Sequence, residues 1–201
     1  LARLQAAGRF TGLVTQNVDG LHQAAGSRNV IDLHGRIDRV RCIACGYQTR
    51  RAAFQQTLQQ GNPGWADRHA AQAPDGDADL VAADFADFYV PPCPQCAGIL
   101  KPDVVFFGEN VPLPRVQQAM QLLAEADAML VVGSSLMVFS GFRFARAAAE
   151  RGLPIAALNL GRTRADDMLT LKVAAPCGPA LSRVAEAIAA TPPACTRTRA
   201  C

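Results

Sequence analysis

The sequence lacks the charge and hydropathy patterns that indicate a nucleic-acid or membrane role. Its 20 Lys and Arg residues exceed its 17 Asp and Glu residues by only three, and no Lys/Arg run concentrates the positive charge. The longest uncharged stretches, 128–142 among them, have 15 residues, fewer than the roughly 18 that a transmembrane helix needs. Because half of the 201 residues are hydrophobic, we expect a soluble globular protein with a substantial core.

A signal-peptide pattern is also missing, so we expect the cysteines to stay reduced. Four of the seven form two C-x2-C pairs, Cys42 with Cys45 and Cys93 with Cys96, a spacing that lets two thiolates bind one tetrahedral Zn²⁺. The long segment between the pairs exceeds the usual zinc-ribbon gap and must loop out. Four thiolates leave no position for water, which predicts a structural zinc site. Disulfides are the alternative, and the reduced state favours metal.

Three polar residues follow the first predicted strand, 10–15. Gln16, Asn17 and Asp19 come directly after this apolar run, and the carboxyl ends of strands are where open α/β sheets bind ligands. The sequence therefore predicts that they line a crevice. The alternative is an Asx-type turn, in which Asn17 and Asp19 bond their own backbone and Gly20 supplies the bend.

His34 lies at the end of a short apolar segment, 30–33, and precedes Gly35. An imidazole at the tip of an element can titrate near neutral pH and act as a general base. The alternative is a capping or merely solvated histidine. His22 and His69 lack this setting, and we interpret both as structural.

Strands and helices alternate through the rest of the chain. Apolar runs predict strands at 129–132, 155–158 and 171–173, and helical spacing predicts helices at 114–126, 142–151 and 179–189. This alternation predicts an α/β fold with a doubly wound parallel sheet. Gly133, Ser134 and Ser135 follow one strand, where a phosphate or ribose can approach the backbone, although this motif alone is weak. The apolar residues 104–107 predict a buried strand.

Six sequence motifs occur in a fixed order: TQNVDGLH, LHG, the paired C-x2-C knuckles, KPDVVFFGE, GSSLMV, and the NLGRTRAD of residues 159–166. Together they resemble the sirtuins, NAD-dependent protein lysine deacylases, and most of all the bacterial and mitochondrial class II branch. The motifs extend from residue 11 to about residue 190, so the resemblance covers most of the chain.

The resemblance implies roles for the residues that match these motifs. It implies His34 and Asn17 as catalytic residues, with His34 as the base. It implies structural zinc ligands at Cys42, Cys45, Cys93 and Cys96. The residues matched to binding of the co-substrate NAD are Gln16, Asn17, Val18, Asp19, Gly133, Ser134, Ser135, Asn159, Leu160, Gly161 and Cys177. The residues matched to the acyl-lysine peptide, which lies as an added strand, are Val105, Phe107, Gly108 and Val138.

The implied organisation is discontinuous. Residues 1–35 and 103–190 would form a Rossmann-like NAD-binding domain, 36–102 a zinc-binding module, and 191–201 a disordered tail. The implied reaction converts NAD and an acyl-lysine protein or peptide into nicotinamide, deacylated lysine and 2′-O-acyl-ADP-ribose. Nucleic acid and membrane are not expected partners. The expected location is the cytoplasm in a bacterium, or the mitochondrion in a eukaryote.

Two other functions stay open. The same cleavage of NAD can deliver ADP-ribose to a protein nucleophile, which would make the protein a mono-ADP-ribosyltransferase. A non-catalytic zinc module that binds a partner is the third possibility. The family's first strand and its glycine-rich phosphate-binding turn have no counterpart in the sequence. We therefore expect a chain that is incomplete at its N-terminus and, as it stands, poorly stable and inactive.

Overall fold

The computed structural model describes residues 1–10, 12–65, 71–72, 78–79 and 85–190. The predicted tail, 191–201, lies outside the described residues. The α-helices among them are α1 Ala2–Ala6, α2 Leu21–Ala24, α3 Arg51–Gly61, α4 Leu113–Ala124, α5 Phe139–Glu150 and α6 Cys177–Ala190. The strands are β1 Leu13–Thr15, β2 Val30–Asp32, β3 Gly35–Cys42, β4 Gln48–Arg50, β5 Ala71–Gln72, β6 Ala78–Asp79, β7 Leu100–Val104, β8 Met129–Val132, β9 Ile155–Leu158 and β10 Leu171–Val173.

The chain divides into two compact units, one of Leu1–His34 with Val105–Cys201 and one of Gly35–Val104. In the described part of the chain, none of the helices combines the length and the hydrophobicity that a bilayer span requires.

The first unit is built on parallel strands. β1 pairs with β2, and β9 pairs with β8 on one side and β10 on the other, all in parallel. Parallel neighbours need a crossover between them, and α5 connects β8 to β9 in this way. The predicted α/β fold with parallel strands and intervening helices is confirmed, with the described strands of this unit arranged as two sheets.

One hydrophobic cluster forms the core of the first unit. Leu33 and Ile155 are completely buried in it, and burial of such a side chain contributes roughly 1.5–3 kcal/mol. Helix α5 presents Ala145 and Ala148, also completely buried, on one face because they are three positions apart. These small side chains let the helix backbone lie close to the strands.

Helix α5 begins at Phe139, three residues before the predicted start at Phe142. The prediction missed the first turn because Ser140 and Gly141 are weak helix formers. Both are nevertheless buried, so tertiary contacts outweigh their intrinsic preference. This turn carries residues of the candidate site.

The prediction of a buried strand at 104–107 is wrong. Strand β7 ends at Val104, and Phe106 and Phe107 are 49% and 104% exposed. The backbone turns here, because the Glu109 N–H donates to the Phe106 carbonyl at 3.0 Å and the Phe106 N–H donates to the Glu109 carboxylate at 3.0 Å. Gly108, with φ +88°, supplies the left-handed conformation that this turn requires.

The second unit is built on antiparallel strands. β3 lies between β4 and β7, and the completely or almost completely buried Val40 and Cys42 of β3 form its centre. The buried Asn62 amide donates to the carbonyls of Leu58 and Tyr89, both at 2.8 Å, and accepts from the Tyr89 N–H at 2.7 Å. These bonds fasten the end of α3 to the segment that leads to Cys93.

Candidate functional site

Polar residues of the first unit gather where its strands end. Gln16 follows β1, Gly133 to Ser135 follow β8, and Asn159 follows β9. The Ser134 hydroxyl donates to Gln16 Oε1 at 3.0 Å, which joins two chain positions 118 residues apart. Parallel strands bring their carboxyl ends to one edge, so the fold assembles this cluster from segments that are remote in sequence.

Gln16 fits closely against the first turn of α5. A Cβ atom on Gly141 would lie 2.8 Å from the end of the Gln16 side chain, closer than two such atoms pack. Only glycine at position 141 therefore leaves the Gln16 amide where it contacts Ser134.

The backbone of His34 is held on both sides. The Leu33 N–H donates to the Thr15 carbonyl at 2.9 Å, and the Val105 N–H donates to the His34 carbonyl at 2.8 Å. The imidazole Nε2 lies 2.8 Å from the Ser140 hydroxyl oxygen. His34 therefore has a defined rotamer within the cluster, unlike a merely solvated histidine.

The environment of His34 favours its neutral form. Burial is the main cause that lowers the pKa of His34 below its ordinary value, because a charged imidazole loses hydration there. A hydrogen bond to the Gln16 backbone acts in the opposite direction, and the positive charge of Arg115 lowers the pKa further. A neutral imidazole near pH 7 can accept a proton, which is what a general base requires.

Asp19 makes the Asx-type bond that the sequence left open as an alternative, whereas Asn17 contributes its backbone N–H to the same segment. The Asn17 N–H donates to the Thr15 hydroxyl oxygen at 3.1 Å, and Asp19 Oδ1 accepts from the Leu21 N–H at 3.0 Å at the start of α2. Both side chains are exposed. Their described contacts are thus structural, and their outward ends remain accessible to a ligand together with the half-buried Val18.

Gly133 and Cys177 meet beside the end of β9. Gly133 has φ +58°, and a Cβ there would lie 3.4 Å from Cys177 Sγ. The Cys177 thiol donates to the Leu158 carbonyl at 3.5 Å. The Asn159 amide donates to the Gly161 carbonyl at 3.0 Å, which bends the chain and leaves Leu160 69% exposed. Without a side chain, Gly133 keeps the backbone of this edge open to close approach.

Arg164 fastens the loop that follows β8. Its N–H donates to the Ser135 carbonyl at 2.8 Å, and its guanidinium donates to the Met137 carbonyl at 3.1 Å and lies over the Phe142 ring. Two residues after Arg164, the Asp166 carboxylate accepts a hydrogen bond from Lys172, which is the main cause that lowers the pKa of Asp166 to about 2. The contacts of Arg164 therefore hold the loop at Ser135, the residue after Ser134.

Four predicted peptide-binding residues lie at the surface or in the turn of the first unit. The Val105 N–H donates to the His34 carbonyl. Phe107 and Gly108 belong to the exposed turn. Val138 is 53% exposed immediately before α5. The side chains of Phe107 and Val138 thus offer apolar surface that this unit does not bury.

The two C-x2-C pairs of the second unit converge, which confirms the predicted cluster. The sulfur atoms of Cys42, Cys45, Cys93 and Cys96 all lie within 4.8 Å of one another. The Cys42 and Cys96 sulfurs are 3.6 Å apart, and those of Cys45 and Cys93 are 3.7 Å apart. In a tetrahedral site with four Zn–S bonds of about 2.3 Å, neighbouring sulfur atoms lie about 3.8 Å apart. The cluster therefore fits one tetrahedral zinc ion.

The ionisation of the thiols also suits a metal. A hydrogen bond from the Cys45 backbone is the main cause that lowers the pKa of Cys42 to about 6. The Gly98 N–H lowers the pKa of Cys96, but its thiol neighbours Cys45 and Cys42 outweigh this effect and raise it to about 12. Four such groups lose their protons together only beside a cation. Gly98 leaves the space, since a Cβ there would lie 3.1 Å from two of the sulfurs.

Sequence reasoning missed Ser140, Gly141 and Arg115. Ser140 is 106 positions from His34, and no local pattern connects the two. The signal that could have found Gly141 is a glycine inside a helical pattern, which often marks a close packing contact.

Known proteins resemble this chain over most of its length. A model of the Sir2 family matches residues 1–140. The "NAD-dependent protein deacetylase" of Xanthomonas campestris pv. campestris (strain 8004) is 65% identical over 182 residues, or 90% of this chain and 62% of that protein. A protein of the same name from Bordetella bronchiseptica is 62% identical over 184 residues, or 92% of this chain and 67% of that protein.

Solved structures share the fold. One described as "Sir2-p53 peptide-NAD+" has a TM-score of 0.73 and 30% identity, over 94% of this chain and 68% of that one. Compared with the Xanthomonas relative, this chain spans somewhat less than two thirds of that protein's length.

Proposed function

Because the chain belongs to the Sir2 family, we propose that it is an NAD-dependent protein lysine deacetylase. The reaction consumes NAD and an acyl-lysine protein or peptide and releases nicotinamide, deacylated lysine and 2′-O-acyl-ADP-ribose. The names of the 62–65% identical relatives support this activity. The bound NAD and peptide of the similar structure support these two substrates.

The proposal rests mainly on the position and environment of His34. Its imidazole is oriented, partly buried and favoured in the neutral form, as a general base must be near pH 7. We assign it the removal of a proton from a ribose hydroxyl of the bound NAD. Asn17 is the second catalytic residue, and its exposed amide together with Asp19 holds the nicotinamide carboxamide.

The carboxyl edge of the first unit supplies the remaining NAD contacts. We assign Gln16 and Val18 to the nicotinamide ribose, with Gln16 held by Ser134. The open backbone beside Gly133 suits a phosphate, which backbone N–H groups bind well. The residues assigned to the phosphates and adenosine are Gly133, Ser134, Ser135, Asn159, Leu160, Gly161 and Cys177.

The acyl-lysine peptide is assigned to the exposed apolar residues around Phe107 and Val138. Peptides that add as a strand gain affinity from main-chain hydrogen bonds. Gly108 permits close approach of a backbone. The Val105 N–H already donates to the His34 carbonyl, so the group that Val105 offers to the peptide is its carbonyl. An apolar lining also keeps water from the reacting acyl group.

We assign one structural zinc ion to Cys42, Cys45, Cys93 and Cys96. A metal with four protein ligands has no open position for substrate, so its role is to hold the second unit together. The domain boundaries that follow are 1–35 with 103–190 for NAD binding and 36–102 for the zinc module. A cytoplasmic location is part of the proposal, supported by the free thiols and the bacterial relatives.

The test is incubation with NAD and an acetyl-lysine peptide, with products identified by mass spectrometry. Both the 201-residue chain and a version extended by an N-terminal strand and glycine-rich turn are assayed. We expect 2′-O-acetyl-ADP-ribose from at least one of the two versions, and in that version a fall in the turnover rate of about 10²–10⁴-fold on His34→Ala, the usual contribution of a general base. Zinc content should not change in this variant.

Two outcomes would overturn the proposal. A protein product heavier by one ADP-ribose, without peptide deacetylation, would identify an ADP-ribosyltransferase. Absence of NAD consumption by either version, with zinc still bound, would identify a binding module.

A further inference from the structure

The hydrogen bond between Ser140 and His34 is unusual for a serine in the first turn of a helix. Such hydroxyls ordinarily cap the helix or bond a nearby backbone group. Ser140 instead places its oxygen 2.8 Å from His34 Nε2, and the N-cap position of α5 belongs to Val138. The serine is only 9% exposed, so bulk water competes little for this bond.

The first turn of α5 is shaped to reach the site. Ser140 contacts His34, and its neighbour Gly141 leaves the room that the Gln16 side chain occupies. The turn is anchored by the Gly141 and Phe142 N–H groups, which both donate to the Val138 carbonyl at 3.2 Å. Ser140 therefore fits His34 and its neighbour Gly141 fits Gln16. The contact of Ser140 with His34 is part of this packed arrangement.

The Ser140 hydroxyl oxygen lies at Nε2 of His34, and the Gln16 backbone is a further hydrogen-bond partner of the same imidazole. The bond to the Gln16 backbone raises the pKa of His34, as expected when a ring N–H donates to a carbonyl oxygen. A neutral imidazole has one donor nitrogen and one acceptor nitrogen. If Nδ1 donates to Gln16, Nε2 carries the lone pair, and the Ser140 hydroxyl is the donor that faces it.

We propose that Ser140 is a positioning residue for His34: its hydroxyl donates to Nε2, selects the Nδ1–H tautomer and aims the Nε2 lone pair. The role rests on the proposed function, because this lone pair is the one that accepts the proton of the ribose hydroxyl. The hydroxyl holds the ring in this orientation while the ribose hydroxyl approaches the same nitrogen. No proton is transferred to or from Ser140.

The first test is kinetic and uses Ser140→Ala, with Ser140→Thr to restore the hydroxyl and Ser182→Ala in α6 as a matched serine outside the site. We expect kcat of Ser140→Ala to fall about two- to tenfold, the effect of losing one neutral hydrogen bond. KM for NAD and for peptide should stay unchanged. Ser140→Thr should recover most of kcat, and Ser182→Ala should behave as the parent.

The second test is a direct view of the imidazole by long-range ¹H–¹⁵N NMR at about pH 7.5, where an imidazole with a lowered pKa is neutral. Signals of His34 are assigned by their loss in His34→Gln. We expect the Nδ1–H tautomer in the parent chain and a mixture of tautomers in Ser140→Ala. A merely structural role for Ser140 would change thermal stability and leave the tautomer ratio alone.

The two readouts separate the possible failures. An Nε2–H tautomer in the parent chain, or an unchanged tautomer ratio and kcat in Ser140→Ala, would overturn the role of Ser140. If Ser140→Ala does not fold, the role of Ser140 is judged from the tautomer of His34 in the parent and from the kcat of Ser140→Thr. A parent that consumes no NAD in either version, with or without the N-terminal extension, but shows the expected tautomers would count against the proposed function and leave the Ser140–His34 contact established.

Discussion

At the scale of single residues, the proposed chemistry depends on keeping the His34 imidazole neutral. Burial and the charge of Arg115 lower the pKa of His34, and the Gln16 backbone limits the effect. Removal of water from a basic group costs its charged form most. The base form therefore persists to lower pH than for an ordinary histidine, and activity should be lost only as pH falls through this lowered pKa.

Arg115→Gln tests the electrostatic part of this argument. Since the guanidinium disfavours a second positive charge, its removal should raise the pKa of His34 and move the acidic limb of the pH–rate profile to higher pH. The measurement is kcat/KM against pH, which reports ionisations of the free enzyme. Arg115→Lys keeps the charge and should keep the limb in place. A limb that moves equally in both variants would point to packing instead of charge.

At the scale of elements, the fit between α5 and the end of β1 links helix stability to ligand binding. Alanine in place of a helical glycine stabilises a helix by up to about 1 kcal/mol. At position 141, however, the added Cβ would lie 2.8 Å from the Gln16 side chain. That flexible amide can swing away at little cost in stability, but it then leaves Ser134 and its place in the site.

Gly141→Ala is therefore expected to leave the thermal midpoint unchanged or raised while it weakens NAD binding severalfold. Differential scanning fluorimetry and calorimetric titration with NAD measure the two effects. The matched control is Gly178→Ala in α6, where a Cβ would meet nothing within 4 Å, so binding should not change. Unaltered NAD affinity in Gly141→Ala would show that the position of Gln16 is unimportant.

At the scale of the whole molecule, the metal and the proposed chemistry reside in different units. The four thiols belong to the unit Gly35–Val104, whereas His34 and the polar cluster belong to the other. A closed four-thiolate site contributes folding free energy to the segment that carries it. Loss of zinc is thus expected to act through the structure of the second unit.

Zinc removal provides the corresponding measurement. We expect about one zinc per chain by elemental analysis, and a chelator should make residues 36–102 sensitive to protease because the four sulfurs then lose the ion that joins their two segments. Cys45→Ser should lower zinc content strongly, and Cys177→Ser should not, since that thiol lies in the other unit. Loss of turnover under chelation with an unchanged proteolysis pattern would contradict a structural role.

Much of the secondary structure could be predicted, because apolar runs and turn residues are local signals. Strands β8, β9 and β10 have the predicted bounds. Some failures occurred where distant residues decide. The start of α5 was misplaced because Ser140 and Gly141 are helical only in the context of Gln16 and His34. The error at 104–107 has a local cause, since Glu109, three residues after Phe106, holds the Phe106 backbone in a turn. Ser140 could not be identified, since its partner is 106 positions away.

By itself, the sequence determined which reactive groups the chain carries and how they are spaced locally. The two thiol pairs, the amides after β1 and the order of the motifs are properties of neighbouring residues, and short-range geometry already constrains what they can bind. Only the tertiary structure decided that Ser140 faces His34, that Gly141 accommodates Gln16 and that Phe107 lies in solvent. Those contacts join residues whose separation along the chain bears no relation to their separation in space, so the burial of these side chains and the direction of the His34 pKa shift follow from packing.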